Sequence, residues 1–195
     1  MEELLEQVRK VAEEAEVFSV SHRETEALFE ANRLKTVQTK ESSGMALRLI
    51  KGGRIGFSAT TKPPSAELVA MALEMAPFGA EVFFEFPCLN AYPQVEVYDA
   101  GVEAIAEEDM VELGQRLIDK VRSHTTELVS EAVVKRSVTS VELLNSTGGK
   151  AAYNKSDFSI GVEGVLIRGT DMLFVGDGES SCHPISNIGS IAEST

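Results

Sequence analysis

The stretch Gly44–Phe57, GMALRLIKGGRIGF, decides how the rest of the chain is read. Met45, Leu47 and Leu49 alternate with Ala46, Arg48 and Ile50, a period of two that marks a strand. Gly52 and Gly53 supply the turn, because glycine reaches positive φ without a steric penalty, and Arg54 to Phe57 begin the return strand. This β-hairpin recurs. Arg168, Gly169, Asp171 and Phe174 repeat Lys51, Gly52, Arg54 and Phe57 at a constant offset, and FSIGVEGVLIRG (Phe158–Gly169) takes the place of the first arm. Upstream, Arg23 corresponds to Arg136 and Asn32 to Asn145. The pattern predicts an α+β fold of two helix-plus-antiparallel-meander units, an internal duplication, forming a twisted sheet covered by helices on one face.

Working outward, Leu4, Leu5, Val8, Val11, Ala12 and Ala15 make one apolar face and predict a first helix over residues 2–15. EVFSVSHRE reads as a strand, and the following residues as a second strand pair turning near Asn32 and Arg33. With the hairpin this gives a meander of about four or five strands, through Thr61. Lys62-Pro63-Pro64 breaks the sheet. A second helix, SAELVAMALEMA, begins at Pro64 or Ser65 and ends at Pro77 and Gly79. A third spans residues 106–123, with Glu107, Glu108 and Asp109 in its first turn and Lys120 and Arg122 in its last, the order the helix dipole favours.

These signals divide residues 1–178 into lobes of about 1–80 and 105–178, joined by an extended connector over 81–104. The connector holds Phe83, Phe84, Phe86 and Tyr92 around Pro87 and Pro93. Aromatics packed beneath the helices are the expected arrangement, and a surface groove for a peptide is the alternative. Residues 179–195 turn small and polar and read as a linker toward a further, carboxy-terminal domain.

The chain has 195 residues, 43% hydrophobic and 25% charged, as expected of a soluble globular protein. Its net charge of −13 repels phosphates and argues against direct nucleic-acid binding. No apolar run approaches the roughly 20 residues that a membrane helix needs, and the acidic amphipathic start is not a signal peptide, so a cytoplasmic location is expected. Cys88 and Cys182 then read as free thiols.

Reactive constellations are sparse. His22, His124 and His183 lie far apart, and no HExxH, GxGxxG, Walker or GxSxG pattern occurs. Asp177, Glu179, Cys182 and His183 cluster within the tail, but neighbours in sequence rarely converge on one metal. Asn145-Ser146-Thr147-Gly148-Gly149 could cradle an anion, but no helix follows it, and a hairpin turn is the simpler reading. Ser156-Asp157-Phe158 reads as a turn, and Glu142 and Glu163 as members of a solvated strand face. No catalytic, cofactor-binding or metal-binding residue is assigned.

The run NRLKTVQTKESSGMALRLIKGGRIGFSATT, preceded by AEVFSVSHRET, resembles the amino-terminal domain of the TldD/PmbA family, as does VELLNSTGGKAAYNKSDFSIGVEG. The likeness runs from Ala15 to about Gly178 and rests on the order and spacing of the segments. The glycine hairpin and the NSTG segment look closer to the PmbA (TldE) branch. The resemblance implies a cytosolic, two-domain, dimeric protein of a metallopeptidase system that trims unfolded peptides, also known as a modulator of DNA gyrase. In the TldD branch an HExxxH motif in the carboxy-terminal domain holds zinc. That motif is absent from this sequence, so no site residue transfers. The implied role is an accessory, substrate-guiding domain, inactive alone, with an extended peptide and a homodimeric or TldD/PmbA-type heterodimeric subunit as partners. A non-enzymatic module such as a gyrase modulator is the alternative. A self-contained thiol or metal enzyme using Cys182 and His183 is a third.

Overall fold

A computed structural model describes every residue except Pro64 and Asn90. The chain forms a six-stranded antiparallel sheet in the order β3-β2-β1-β4-β5-β6. The first meander is β1 (Glu14–Glu30), β2 (Arg33–Lys51) and β3 (Arg54–Thr60), preceded by α1 (Glu2–Val8) and followed by α2 (Ala66–Met75). The short helix α3 (Ala100–Ala104) comes next, then α4 (Glu107–His124) and the second meander: β4 (Val129–Asn145), β5 (Lys150–Arg168) and β6 (Asp171–Ser181). A terminal helix, α5 (Gly189–Ser194), ends the chain. The first two strands of both meanders are 17 and 19 residues long, so the two copies match element by element. The turns follow the glycine reading: Gly52 and Gly53 have φ of 59° and 68°, and Gly169 has 64°.

Compact units do not follow sequence order. One comprises Met1–His22, Ser42–Val95 and Thr139–Asn154; the other comprises Arg23–Glu41, Glu96–Val138 and Lys155–Thr195. Each long strand contributes residues to both, which differs from the successive lobes expected at 1–80 and 105–178. Strands longer than one core feed two.

In the first unit, Ala15 and Val17 of β1 and Leu47 and Leu49 of β2 recur at period two and share a face with α1 and α2. Leu4, Leu5 and Val8 of α1 and Leu68, Val69 and Ala72 of α2 complete that core. Gly56 lets α2 lie directly on β3, since a Cβ there would stand 2.0 Å from the Ala72 carbonyl oxygen. In the second unit, Ala27 and Phe29, Ala132 and Val134, and Phe158, Ile160 and Val162 present the same alternation to Met110, Leu117, Ile118 and Val121 of α4.

Several expectations are corrected. The first helix stops at Val8 rather than at residue 15, because the Glu13 N–H donates to the Ile50 carbonyl at 2.9 Å and starts the sheet. The Glu13 carboxylate then accepts from the Gly52 and Gly53 amides at 2.8 and 3.3 Å, which holds its pKa below the usual value. Residues 14–30 form one strand, not two, so each meander has three strands. The Asn32 turn is confirmed, with Ala31 and Asn32 at φ of 50° and 67°. Helix α2 begins after Ser65; Pro64, the other expected start, lies outside the described residues. Ser156-Asp157-Phe158 lies within β5, not in a turn. In the stretch after Glu179, Ile185, Ile188, Ile191 and Ala192 are buried in the second core.

Candidate functional site

The connector and the Asn145 turn form the most specific construction in the chain. Between Val82 and Asp99 the described residues adopt no helix or strand. In the first unit, Phe86 anchors this segment. It is 3% exposed, lies edge-on to Phe84 with ring centroids 5.8 Å apart, and has the Arg48 guanidinium 5.4 Å from its ring centre. Arg48 is in turn paired with the buried Glu16 carboxylate. The Phe86 N–H donates to Glu14 Oε2 at 2.7 Å.

The turn Asn145–Gly149 grips the same segment from β4 and β5. Asn145, 3% exposed, donates from Nδ2 to the Pro87 carbonyl at 2.8 Å and accepts at Oδ1 from the Gly149 N–H at 2.6 Å. The Thr147 hydroxyl lies 2.9 Å from the Phe86 carbonyl and 2.8 Å from Asn145 Oδ1, and it shares one proton between them. The Lys150 N–H donates to the Leu89 carbonyl at 3.1 Å. Glycine at 149 is obligatory, because a Cβ there would lie 2.3 Å from the Pro87 oxygen. The sequence reading of this motif as a hairpin turn is correct, and its side chains serve as a dock for the connector.

That dock leaves the other aromatics outside. Phe83 is 93% exposed, Phe84 53% and Tyr92 47%, with Leu89 and Val95 also exposed. The expectation that the connector packs its aromatics under the helices is overturned for these three rings. Docking spends the main-chain groups around Phe86 on Asn145, Thr147 and Lys150, and the Arg48 guanidinium lies over the Phe86 ring.

In the second unit, Asp177, Cys182 and His183 of the tail each face a different partner. The His183 Nδ1 pairs with Asp99 Oδ2 at 2.9 Å, and this partner holds the Asp99 carboxyl below its usual pKa. Asp99 also caps α3 by accepting from the Gly101 N–H. The Cys182 thiol faces the Glu96 carbonyl at 3.8 Å, and Asp177 accepts from the Gly178 amide. The fully buried Ser156 hydroxyl accepts from the Asp99 N–H and donates to the Cys182 carbonyl, both at 2.8 Å. Among the described residues, no three His, Cys, Asp or Glu side chains converge, so the donor set fits no zinc ion. His22 Nδ1 meets the Thr139 hydroxyl at 2.8 Å, and His124 sits exposed in the last turn of α4. Both cysteines are free thiols, as expected. Glu142 and Glu163 are exposed on their strands, also as expected.

Residues 15–76 match the family profile described as PmbA/TldA metallopeptidase domain 1. Over this stretch the chain is similar to the first domain of the TldD/PmbA family. No curated protein matches it in sequence. Among solved structures, TldE from Thermococcus kodakarensis superposes with a TM-score of 0.87 at 20% identity, over 99% of this chain and 45% of that one. A candidate modulator of a DNA gyrase from Thermotoga maritima gives 0.85 at 15% identity, over 99% and 46%. Another from Bacteroides thetaiotaomicron gives 0.83 at 16%, over 98% and 46%. At these identities the likeness establishes the shared fold. The chain spans less than half the length of the TldD/PmbA-fold proteins it matches. No helix among the described residues is long and apolar enough to cross a membrane.

Proposed function

We propose that this chain is the accessory, substrate-guiding and subunit-contacting domain of a TldD/PmbA-type metallopeptidase system that acts on unfolded peptides in the cytoplasm. The observation that carries this reading is the connector. Phe86 is buried and locked by Asn145 and Thr147, while Phe83, Phe84 and Tyr92 stand in solvent on the same tethered segment. An apolar strip held in place yet uncovered is a contact surface. In this reading zinc and bond cleavage belong to a TldD-type carboxy-terminal domain, supplied in a homodimer or heterodimer; among the described residues no three metal-ligating side chains converge.

The test pairs this chain, within its full-length protein, with a zinc-bearing TldD-type subunit. Complex formation is followed by light scattering, and cleavage of an unfolded peptide by initial rates. Phe83→Ser with Tyr92→Ser should leave the melting temperature unchanged and either dissolve the complex or raise KM with kcat retained. Unaltered assembly and kinetics would refute the proposal.

A second reading follows from the charge. The net charge of −13 suits occupation of a basic groove on a gyrase, the role that names two of the similar structures, with no direct contact to DNA or membrane. Capture of gyrase at low salt and its release at high salt would favour this reading; no capture at either would remove it.

A further inference from the structure

The sheet face of the second unit opposite α4 carries a groove of about 940 Å³, bordered by Val129–Val133 of β4, Gly161–Val165 of β5 and Phe174–Gly178 of β6. The register makes its floor bare. Gly161 stands opposite Gly178, Glu163 opposite Gly176, and Val165 opposite Phe174. Along β6 the outward positions 174, 176 and 178 therefore offer one ring and then two stretches of naked backbone. The rims are apolar: Phe174 on β6 is 69% exposed, and Val129, across β5 on β4, is exposed as well.

Charge decides the occupant. Glu131, Glu163 and Asp177 border the groove, with no lysine, arginine or histidine in its lining; Glu163 shares the groove face with Gly176, whereas Asp177, opposite Val162, belongs to the α4 face. Among the described residues none of these three carboxylates is in an ion pair. Lys35 lies near enough to feel Glu131 but is paired with Glu30 at 2.6 Å. A second copy of this acidic chain would bring like charge, and a nucleic acid would bring phosphates.

We infer that the groove takes an extended peptide segment in which lysine or arginine alternates with aliphatic residues. Its aliphatic side chains lie between Val129 and Phe174, its cations meet Glu131 and Glu163, and its backbone approaches the glycine floor. This rests on the peptide-holding reading above and adds the chemistry of the peptide.

The test uses dye-labelled peptides of about ten residues, a strand's length, with identical aliphatic positions and Lys, Ser or Glu between them. Binding to the full-length protein is read by fluorescence anisotropy at low and high salt. Two variants are compared: Glu131→Gln with Glu163→Gln, which are exposed and isosteric, and Gly161→Val, whose Cβ would make only an ordinary 3.5 Å contact with the Asp177 oxygen. The Lys peptide should bind about tenfold or more tighter than the Glu peptide at low salt, with the gap closing at high salt and in the Gln variant. Gly161→Val should weaken all three peptides. An unchanged Lys-to-Glu ratio in the Gln variant, or full binding to Gly161→Val, would overturn the inference. Equal binding of the Lys and Ser peptides would overturn its cationic part while leaving peptide holding intact. Binding of none would remove both.

Discussion

Replacing Asn145 with alanine tests whether the turn is a dock. The side chain makes bonds of 2.8 Å to the Pro87 carbonyl, 2.6 Å from the Gly149 amide and 2.8 Å to the Thr147 hydroxyl. Each contributes about 1 kcal/mol, and the buried Gly149 donor left unpaired costs roughly 1–3 kcal/mol more. The expected loss is roughly 4–6 kcal/mol, a fall in Tm on the order of 10 °C or more for a chain of this size. Urea unfolding measures the first and calorimetry the second. Asn145→Asp separates the turn from the dock. It keeps both acceptor contacts and turns the Pro87 contact into oxygen against oxygen, so the turn should survive while the connector lifts. Hydrogen exchange should then accelerate at the Phe86 and Lys150 amides, which donate to Glu14 and Leu89. A loss below about 1 kcal/mol for the alanine variant, or native exchange in the aspartate variant, would refute the docking argument.

Three further outcomes are expected. Gly114→Ala should destabilise by about 1–3 kcal/mol in urea despite alanine's higher helix propensity, because its Cβ would lie 2.3 Å from the Phe29 ring. Gly149→Ala should lower Tm and release the connector to protease, since the Pro87 oxygen occupies the space of the new methyl. Glu26 has its pKa lowered by the hydrogen bond from Lys135, at 2.9 Å, so it stabilises the fold above its unfolded value of about 4.3 and loses that contribution as pH falls through the lower folded value. A Glu26→Gln variant should therefore show a flatter Tm profile across that acidic window than the parent, with the difference largest at neutral pH.

The fold was legible where side-chain period and turn chemistry agree. Met45 to Ile50 followed by two glycines can be little else than a hairpin, and the same logic located Gly169. Strand length was misjudged where the middle of β1 turns polar. EVFSVSHRE reads as one strand and the residues after Glu24 as another, yet the ladder needs only main-chain donors and runs unbroken through Glu30. Hydroxyl and imidazole pairs, His22 with Thr139 and Thr25 with Thr39, satisfy those polar side chains within the sheet. The dock was illegible for a different reason. The partners of Asn145 lie 58 residues away at Pro87, and no local rule joins a turn to a distant proline carbonyl. Exposure of Phe83 was misread because an aromatic-rich segment normally signals burial, and only the accounting of main-chain partners around Phe86 shows that one ring is held and the others are not.

The two copies differ most at their outer strands, and that difference bears on where a partner binds. Strand β3 is short, and its free side is partly occupied: Ile55 donates to the Ala80 carbonyl at 3.1 Å, Val82 donates to Gly53 at 2.9 Å, and Arg54 bridges Glu81. Strand β6 has 11 residues against seven, and Met172, Leu173 and Phe174 are exposed on it. An open edge carrying apolar side chains invites pairing by another chain, a hazard that folded proteins ordinarily suppress. Two copies of one meander would be expected to suppress it alike. The first copy does so with its own connector, at Ala80–Val82, and thereby commits that segment to its sheet. The chain after the second copy enters the core at Ile185 instead and packs α5 against β6, and among the described residues no backbone bond occupies the outer side of that strand. Selection for stability alone gives no reason for this asymmetry. The peptide groove proposed above, whose glycine floor adjoins that edge, would supply such a reason.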